Sequence, residues 1–199
     1  WGRNIGRERE YSDRIYPAER GIEWNVTIPT DLPGKVNAVF YEDRIIGTNA
    51  PGDIGIKTIP IEMWAISTKP GEEGTLLWEN SWTPPSDYAI GYTVRQGGQS
   101  SVEDGVFVLY AKEIRAFFGF DRDNGDYLWG PTESMQYMNQ YSLRTNIHFG
   151  KLYATGYAGT VDAYDLDTGK RLWTYEAIDP NNEILWGNKW STISLSLAS

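Results

Sequence analysis

The chain contains no cysteine and only one histidine, His148, among its 199 residues. Without thiols, disulfides and thiolate metal sites are excluded. Basic residues are in deficit: 18 Lys and Arg stand against 27 Asp and Glu, a formal net charge of -9. That sign argues against nucleic acid and anionic membrane surfaces, both of which reward clustered positive charge. Long hydrophobic runs are missing too. No stretch approaches the about 20 apolar residues that cross a bilayer as a helix, so no transmembrane segment is expected. Residues 1–20 are charged and have no apolar centre, which is not the pattern of a signal peptide. Helical patterning is equally scarce, because no window holds a 3.6-residue apolar spacing long enough to compete with alternation. Phosphate loops, zinc spacings and nucleophile elbows do not occur.

What is present is aromatic and β-forming. Apolar residues make up 40% of the chain and aromatic residues 14%, enough for the core of one all-β domain. The stretch from Gly150 to Tyr175 reads as two strands, a tight turn over Asp165 to Gly169, and a third strand carrying Trp173. The turn needs a residue at positive φ, which Gly169 adopts without a Cβ clash, while Asp165 and Thr168 hydrogen-bond the turn backbone. The pattern recurs. Asp121, Gly125 and Trp129 repeat the spacing of Asp165, Gly169 and Trp173, and Gly74 again stands four residues before Trp78. In that earlier copy Ser67 takes the Asp position and the turn is three residues longer. A small residue stands two before the Asp or Ser in each copy: Ala65, Gly119 and Ala163. Trp24 is a fourth trace, 54 residues before Trp78, and the later Trp intervals are 51 and 44. Such steps suit one four-stranded unit each.

These motifs resemble the blade repeat of quinoprotein-like (PQQ-like) β-propeller proteins. The resemblance implies an all-β fold of four-stranded antiparallel blades, about four of them in this chain, with blade ends at Trp24, Trp78, Trp129 and Trp173. Complete propellers of the family have more blades, so residues 1–199 are expected to form a single partial propeller domain. A chain that begins with Trp1 agrees with a fragment or processed product, and residues 186–199 are expected to open a further blade. There Thr192 to Leu197 alternates polar and apolar residues without charge, as a strand does.

Function follows less directly. The dehydrogenase branch of the family is implied to hold pyrroloquinoline quinone and calcium beside a catalytic aspartate, and in many members an adjacent cysteine pair. The cysteines are absent here and no axial Asp-Tyr-Asp cluster can be placed, so no catalytic residue, metal ligand, PQQ or calcium is expected. The chain is more similar to the outer-membrane assembly scaffolds of the BamB type. Asp121 to Asp126 has the carboxylates of a calcium loop in the wrong register, since Gly125 is fifth and Thr132 twelfth, and it reads as a hairpin turn. His148 lacks an identifiable nucleophile or orienting partner. Aromatic residues are the candidate ligand contacts. Trp64 stands where the other copies have Phe118 and Asp162, while Trp82, Tyr88, Tyr92, Tyr137 and Tyr141 are expected in connections. Trp64, Trp82, Tyr137 and Tyr141 are therefore the set for a sugar or peptide. The expected partners are a protein or a second copy meeting an open strand edge, with no nucleic acid, at a cell surface or outside the cell. Asn25 to Thr27 forms one glycosylation sequon.

Overall fold

The computed structural model describes residues 21–49, 60–85, 94–96, 104–141 and 143–176. They form twelve strands in three four-stranded antiparallel sheets, each following chain order from one edge to the other. The first sheet holds β1 (Lys35–Phe40), β2 (Arg44–Thr48), β3 (Ile61–Ser67) and β4 (Leu76–Trp82). The second holds β5 (Val94–Gln96), β6 (Val106–Ala111), β7 (Ala116–Asp121) and β8 (Tyr127–Trp129). In the third are β9 (Arg144–His148), β10 (Lys151–Thr155), β11 (Thr160–Asp165) and β12 (Arg171–Glu176). Three consecutive meanders of this kind are three propeller blades. Trp24 belongs to none of them; it lies in an extended segment before β1. The expectations placed on Tyr88, Tyr92 and residues 186–199 fall outside the described residues.

The blades are stacked, and the apolar pattern explains why. Strand β6 reads Val-Phe-Val-Leu-Tyr-Ala and is buried along its whole length, because the second blade has a neighbour on both faces. Phe107, Leu109, Phe118 and Phe120 pack with Phe40, Ile46, Ile61, Met63 and Trp78 of the first blade. From the opposite face, Val106, Val108, Tyr110, Phe117 and Trp129 pack with Ile147, Leu152, Ala154, Tyr164 and Leu166 of the third. A strand alternates faces every residue, so a continuous apolar run is what a doubly covered strand requires.

One irregularity repeats. The third and fourth strands of each blade shift register between Ala65 and Ile66, between Gly119 and Phe120, and between Ala163 and Tyr164. Such a bulge turns the strand and re-aims the side chains beyond it. Here it sets the small residue directly opposite the blade tryptophan: Ala65 to Trp78, Gly119 to Trp129, Ala163 to Trp173. A Cβ on Gly119 would lie 2.2 Å from the Trp129 ring, so the indole crosses the sheet where the backbone is barest.

Candidate functional site

The three motif turns share one hydrogen-bond pattern. The Ser67, Asp121 and Asp165 amides donate to the carbonyls of Thr75, Asp126 and Lys170. Their own carbonyls accept from Gly74, Gly125 and Gly169, at 2.9 Å in each case. These glycines sit at φ of 81°, 78° and 69°. The longer first turn thus closes the same way, its three additional residues being looped out between fixed ends. Asp165 accepts from the Thr168 amide at 2.9 Å and its hydroxyl at 2.7 Å, and the hydroxyl bond leads the causes that hold the carboxyl below the usual Asp range.

Each turn is also the seat for the preceding blade's tryptophan. Trp78 lies on the second blade's turn, where a Cβ on Gly125 would come 2.7 Å from its ring, and its Nε1 donates to the Arg122 carbonyl at 3.0 Å. Trp129 lies likewise on the third blade's turn: a Cβ on Gly169 would come 2.4 Å from the indole, and Nε1 donates to the Leu166 carbonyl at 2.7 Å. Trp78 is 9% exposed and Trp129 6%, whereas Trp173 is 44% exposed. Charges reinforce the first joint. Buried Arg44 donates to the Arg122 carbonyl at 2.8 Å, pairs with Asp123 across the joint at 3.0 Å, and is itself held by Asp43 at 2.8 Å. The turn of the first blade is covered differently. A Cβ on Gly74 would meet the Val26 side chain at 2.6 Å, so Val26, and not Trp24, occupies the place of a docked tryptophan.

The aromatic set divides. Trp82 is in β4 and not in a connection; it packs on Phe118 at 4.9 Å, Phe120 at 5.1 Å and Tyr127 at 5.8 Å, which makes it part of the first joint. Trp64 is 4% exposed and lies across Gly47, with Nε1 donating to the Pro33 carbonyl at 2.8 Å. It is on the opposite face of the same blade from Trp82, beneath the segment that leads into β1. An open cleft of about 520 Å³ beside that segment is lined by Asp31, Pro33, Glu62 and Glu79. Of the described members, only Tyr137 and Tyr141 come together and face solvent. They flank a 3-10 turn, Tyr137–Gln140, with rings edge to face at 6.1 Å and hydroxyls 3.4 Å apart. The Arg115 guanidinium lies 5.8 Å from the Tyr137 ring centre, and the hydroxyl contact with Tyr137 pushes the Tyr141 phenol up. Among the described residues no three Asp, Glu or His side chains are grouped to hold a metal ion. His148 stacks on Phe149 at 3.9 Å in β9.

Asp162 is the residue whose chemistry sequence reasoning missed. It was recognised only as the counterpart of Trp64 and Phe118. Fully buried in β11, it accepts at Oδ1 from the Thr174 hydroxyl at 2.6 Å, while Oδ2 has no hydrogen-bond partner. Desolvation pushes its carboxyl up, against the Thr174 hydrogen bond, the Arg171 charge and the Asn139 side chain.

No family model matches the chain, and neither does any curated protein. Solved structures do. BamB from Moraxella catarrhalis matches 72% of this chain at 14% identity with a TM-score of 0.45. A europium-containing methanol dehydrogenase matches 71% at 16% identity with a TM-score of 0.41, and the quinohemoprotein alcohol dehydrogenase of Comamonas testosteroni 73% at 18% with 0.42. The chain is similar to these proteins in fold. Its own three consecutive four-stranded meanders are propeller blades. The matches span 37%, 24% and 21% of the three neighbours' own lengths. The blade assignment rests on the chain's own three meanders and two joints. Among the described residues, no helix is long and apolar enough to cross a membrane.

Proposed function

We propose that the chain is a non-catalytic propeller module that works as an interaction scaffold at a cell surface or outside the cell. Its blade motif serves blade joints, and among the described residues the joint position at Trp173 is taken by no following blade, which makes it the place for a partner. The observation that carries this reading is the inequality of the three tryptophans. Trp78 and Trp129 are seated on glycine turns, whereas the ring of Trp173, beside exposed Tyr175 and 6.1 Å from the Tyr153 ring, is 44% exposed. A face of that kind accepts a further blade that offers a tight glycine turn and a free carbonyl, supplied by another protein or by a second copy.

The test has two arms. Sedimentation velocity over a concentration series, alone and with proteins recovered by cross-linking through a photoreactive residue at Tyr175, should give an assembly that Trp173→Ala abolishes. The Trp173→Ala chain should keep its own fold by circular dichroism. An assembly indifferent to Trp173 would overturn the docking face. In the second arm, protein supplied with calcium and pyrroloquinoline quinone should show no dye-linked oxidation of alcohols or sugars. Calcium-dependent turnover would instead support the reading as part of a quinoprotein dehydrogenase.

A second reading has its own observation. The exposed Tyr137 and Tyr141 rings beside Arg115 form an amphipathic surface on which a sugar face or peptide can stack. Chemical-shift changes confined to residues 115 and 137–141 on titration with oligosaccharides, lost in Tyr137→Ala, would favour it.

A further inference from the structure

The joint between the second and third blades contains a group that blade building does not use. Asp162 occupies the position filled by Trp64 in the first blade and Phe118 in the second, both buried aromatics. A lone carboxyl there costs desolvation and contributes little packing, and its Oδ2 is left without a donor.

Three elements bring polar groups to it. From β12, Thr174 donates to Oδ1, and the Arg171 guanidinium stands 4.0 Å from that same oxygen. Arg171 does not complete that contact, because its other terminal nitrogen is bonded to the Glu133 carboxylate of the connection 131–141. The same connection supplies Asn139, buried and bonded to the Thr160 hydroxyl at 2.7 Å and the Ala158 amide at 2.9 Å. On β11 itself Tyr164 donates to the Glu133 carbonyl at 3.2 Å, and burial pushes its phenol up, so it stays neutral throughout the range considered. Arg171 thus stands between an exposed carboxylate it holds and a buried one it does not quite reach.

We propose that Asp162, Arg171 and Glu133 form a proton-operated latch that fixes the connection 131–141 against the third blade. With a proton on Asp162, the site is uncharged and Arg171 remains on Glu133. When that proton leaves to solvent, the buried carboxylate is met by the Asn139 side chain but has no completed hydrogen bond at Oδ2, and the guanidinium is drawn inward to supply one. Glu133 is then released, and with it the connection that carries Asn139, Tyr137 and Tyr141. The raised carboxyl pKa fixes the sign: the protonated, latched state is favoured at low pH and is lost as pH rises through the folded-state value.

Amide hydrogen exchange, corrected for its intrinsic pH dependence, reads the latch on the whole chain from the ordinary Asp range of about pH 4 upward to about pH 8. The Ala158 amide, which donates to Asn139, should lose protection several-fold as pH rises, with the Val108 amide of the second blade as a control. Asp162→Asn carries no titrating proton and retains the acceptor for Thr174, so its protection should be flat across the range. Glu133→Gln alters only an exposed side chain. It removes both the competing carboxylate and a charge that favours protonation of Asp162, so the loss of protection should shift to lower pH. A wild-type profile with no pH dependence at Ala158, or an Asp162→Asn profile that follows wild type, would overturn the latch.

Discussion

Truncating Trp129 removes a ring that is 6% exposed, seated on Gly169 and hydrogen-bonded through Nε1 to Leu166. Large-to-small substitution of a buried aromatic costs about 3–5 kcal/mol, including the cavity left behind. Trp173 has the same motif position but keeps only part of its ring covered, against Ala163 and the Tyr153 ring. Scaling by coverage, Trp173→Ala should cost roughly half as much, about 2 kcal/mol. At about 2–4 °C per kcal/mol for a chain of this size, the two midpoints should differ by several degrees. Gly169→Ala checks the mechanism from the other side of the joint. Its new Cβ would be 2.4 Å from the indole, so the ring must leave its seat. If unseating is the common cause, Gly169→Ala and Trp129→Ala together should cost much less than their sum, since residues in contact do not add. Urea unfolding followed by far-ultraviolet circular dichroism measures all four chains. Equal losses for Trp129→Ala and Trp173→Ala, or full additivity of the glycine and tryptophan changes, would refute the docking account.

Further expectations concern single contacts. Asn139→Ala removes a buried amide that satisfies the Ala158 N–H and the Thr160 hydroxyl, and should cost about 1–3 kcal/mol in the same unfolding assay. Trp64→Phe keeps most of the ring over Gly47 but deletes the donor to Pro33, so a loss of about 1 kcal/mol is expected. Thr168→Val removes the hydroxyl bond to Asp165, and carboxyl NMR titration should find the Asp165 pKa moved up toward its ordinary value. Because that pKa is depressed in the folded state, its contribution to stability is present above the unfolded value and lost as pH falls through the folded one; Thr168→Val should flatten this acid-side slope.

The turns were readable because they demand particular chemistry. Gly125 and Gly169 must reach positive φ, and Asp165 and Thr168 bond the turn backbone, so the four-residue interval to the tryptophan survives in sequence. The longer loop between Ser67 and Gly74 did not hide the pattern, since its closing bonds are the same. Small residues at Ala65, Gly119 and Ala163 were visible too, but their reason lies in the bulge that brings the indole across them. The site was less legible. Which face of β3 is covered depends on the segment before β1, whose Pro33 carbonyl receives Trp64, and no local pattern encodes that distant contact. Trp82 was expected in a connection, yet β4 runs through it to reach the rings of the second blade. Trp24 shared an interval with the blade tryptophans without sharing their seat, which Val26 takes. A lone buried carboxylate such as Asp162 has no periodicity at all; only its missing donor marks it.

The joints run in one direction. Each tryptophan reaches onto the blade that follows it, from Trp78 to Gly125 and from Trp129 to Gly169, so the stack has a polarity and its two ends are chemically unlike. Among the described residues, the last joint position presents the half-exposed indole of Trp173, and the first presents a turn at Gly74 covered by Val26. A two-fold axis brings like surfaces together, so it would not pair an indole of this kind with a glycine turn. If a second copy is the partner proposed for Trp173, its contact would be heterologous, head to tail. A series of such contacts would close into a ring, meet a dissimilar cap or continue as a filament. Val26 acts against that continuation, since an incoming indole must first displace it from Gly74.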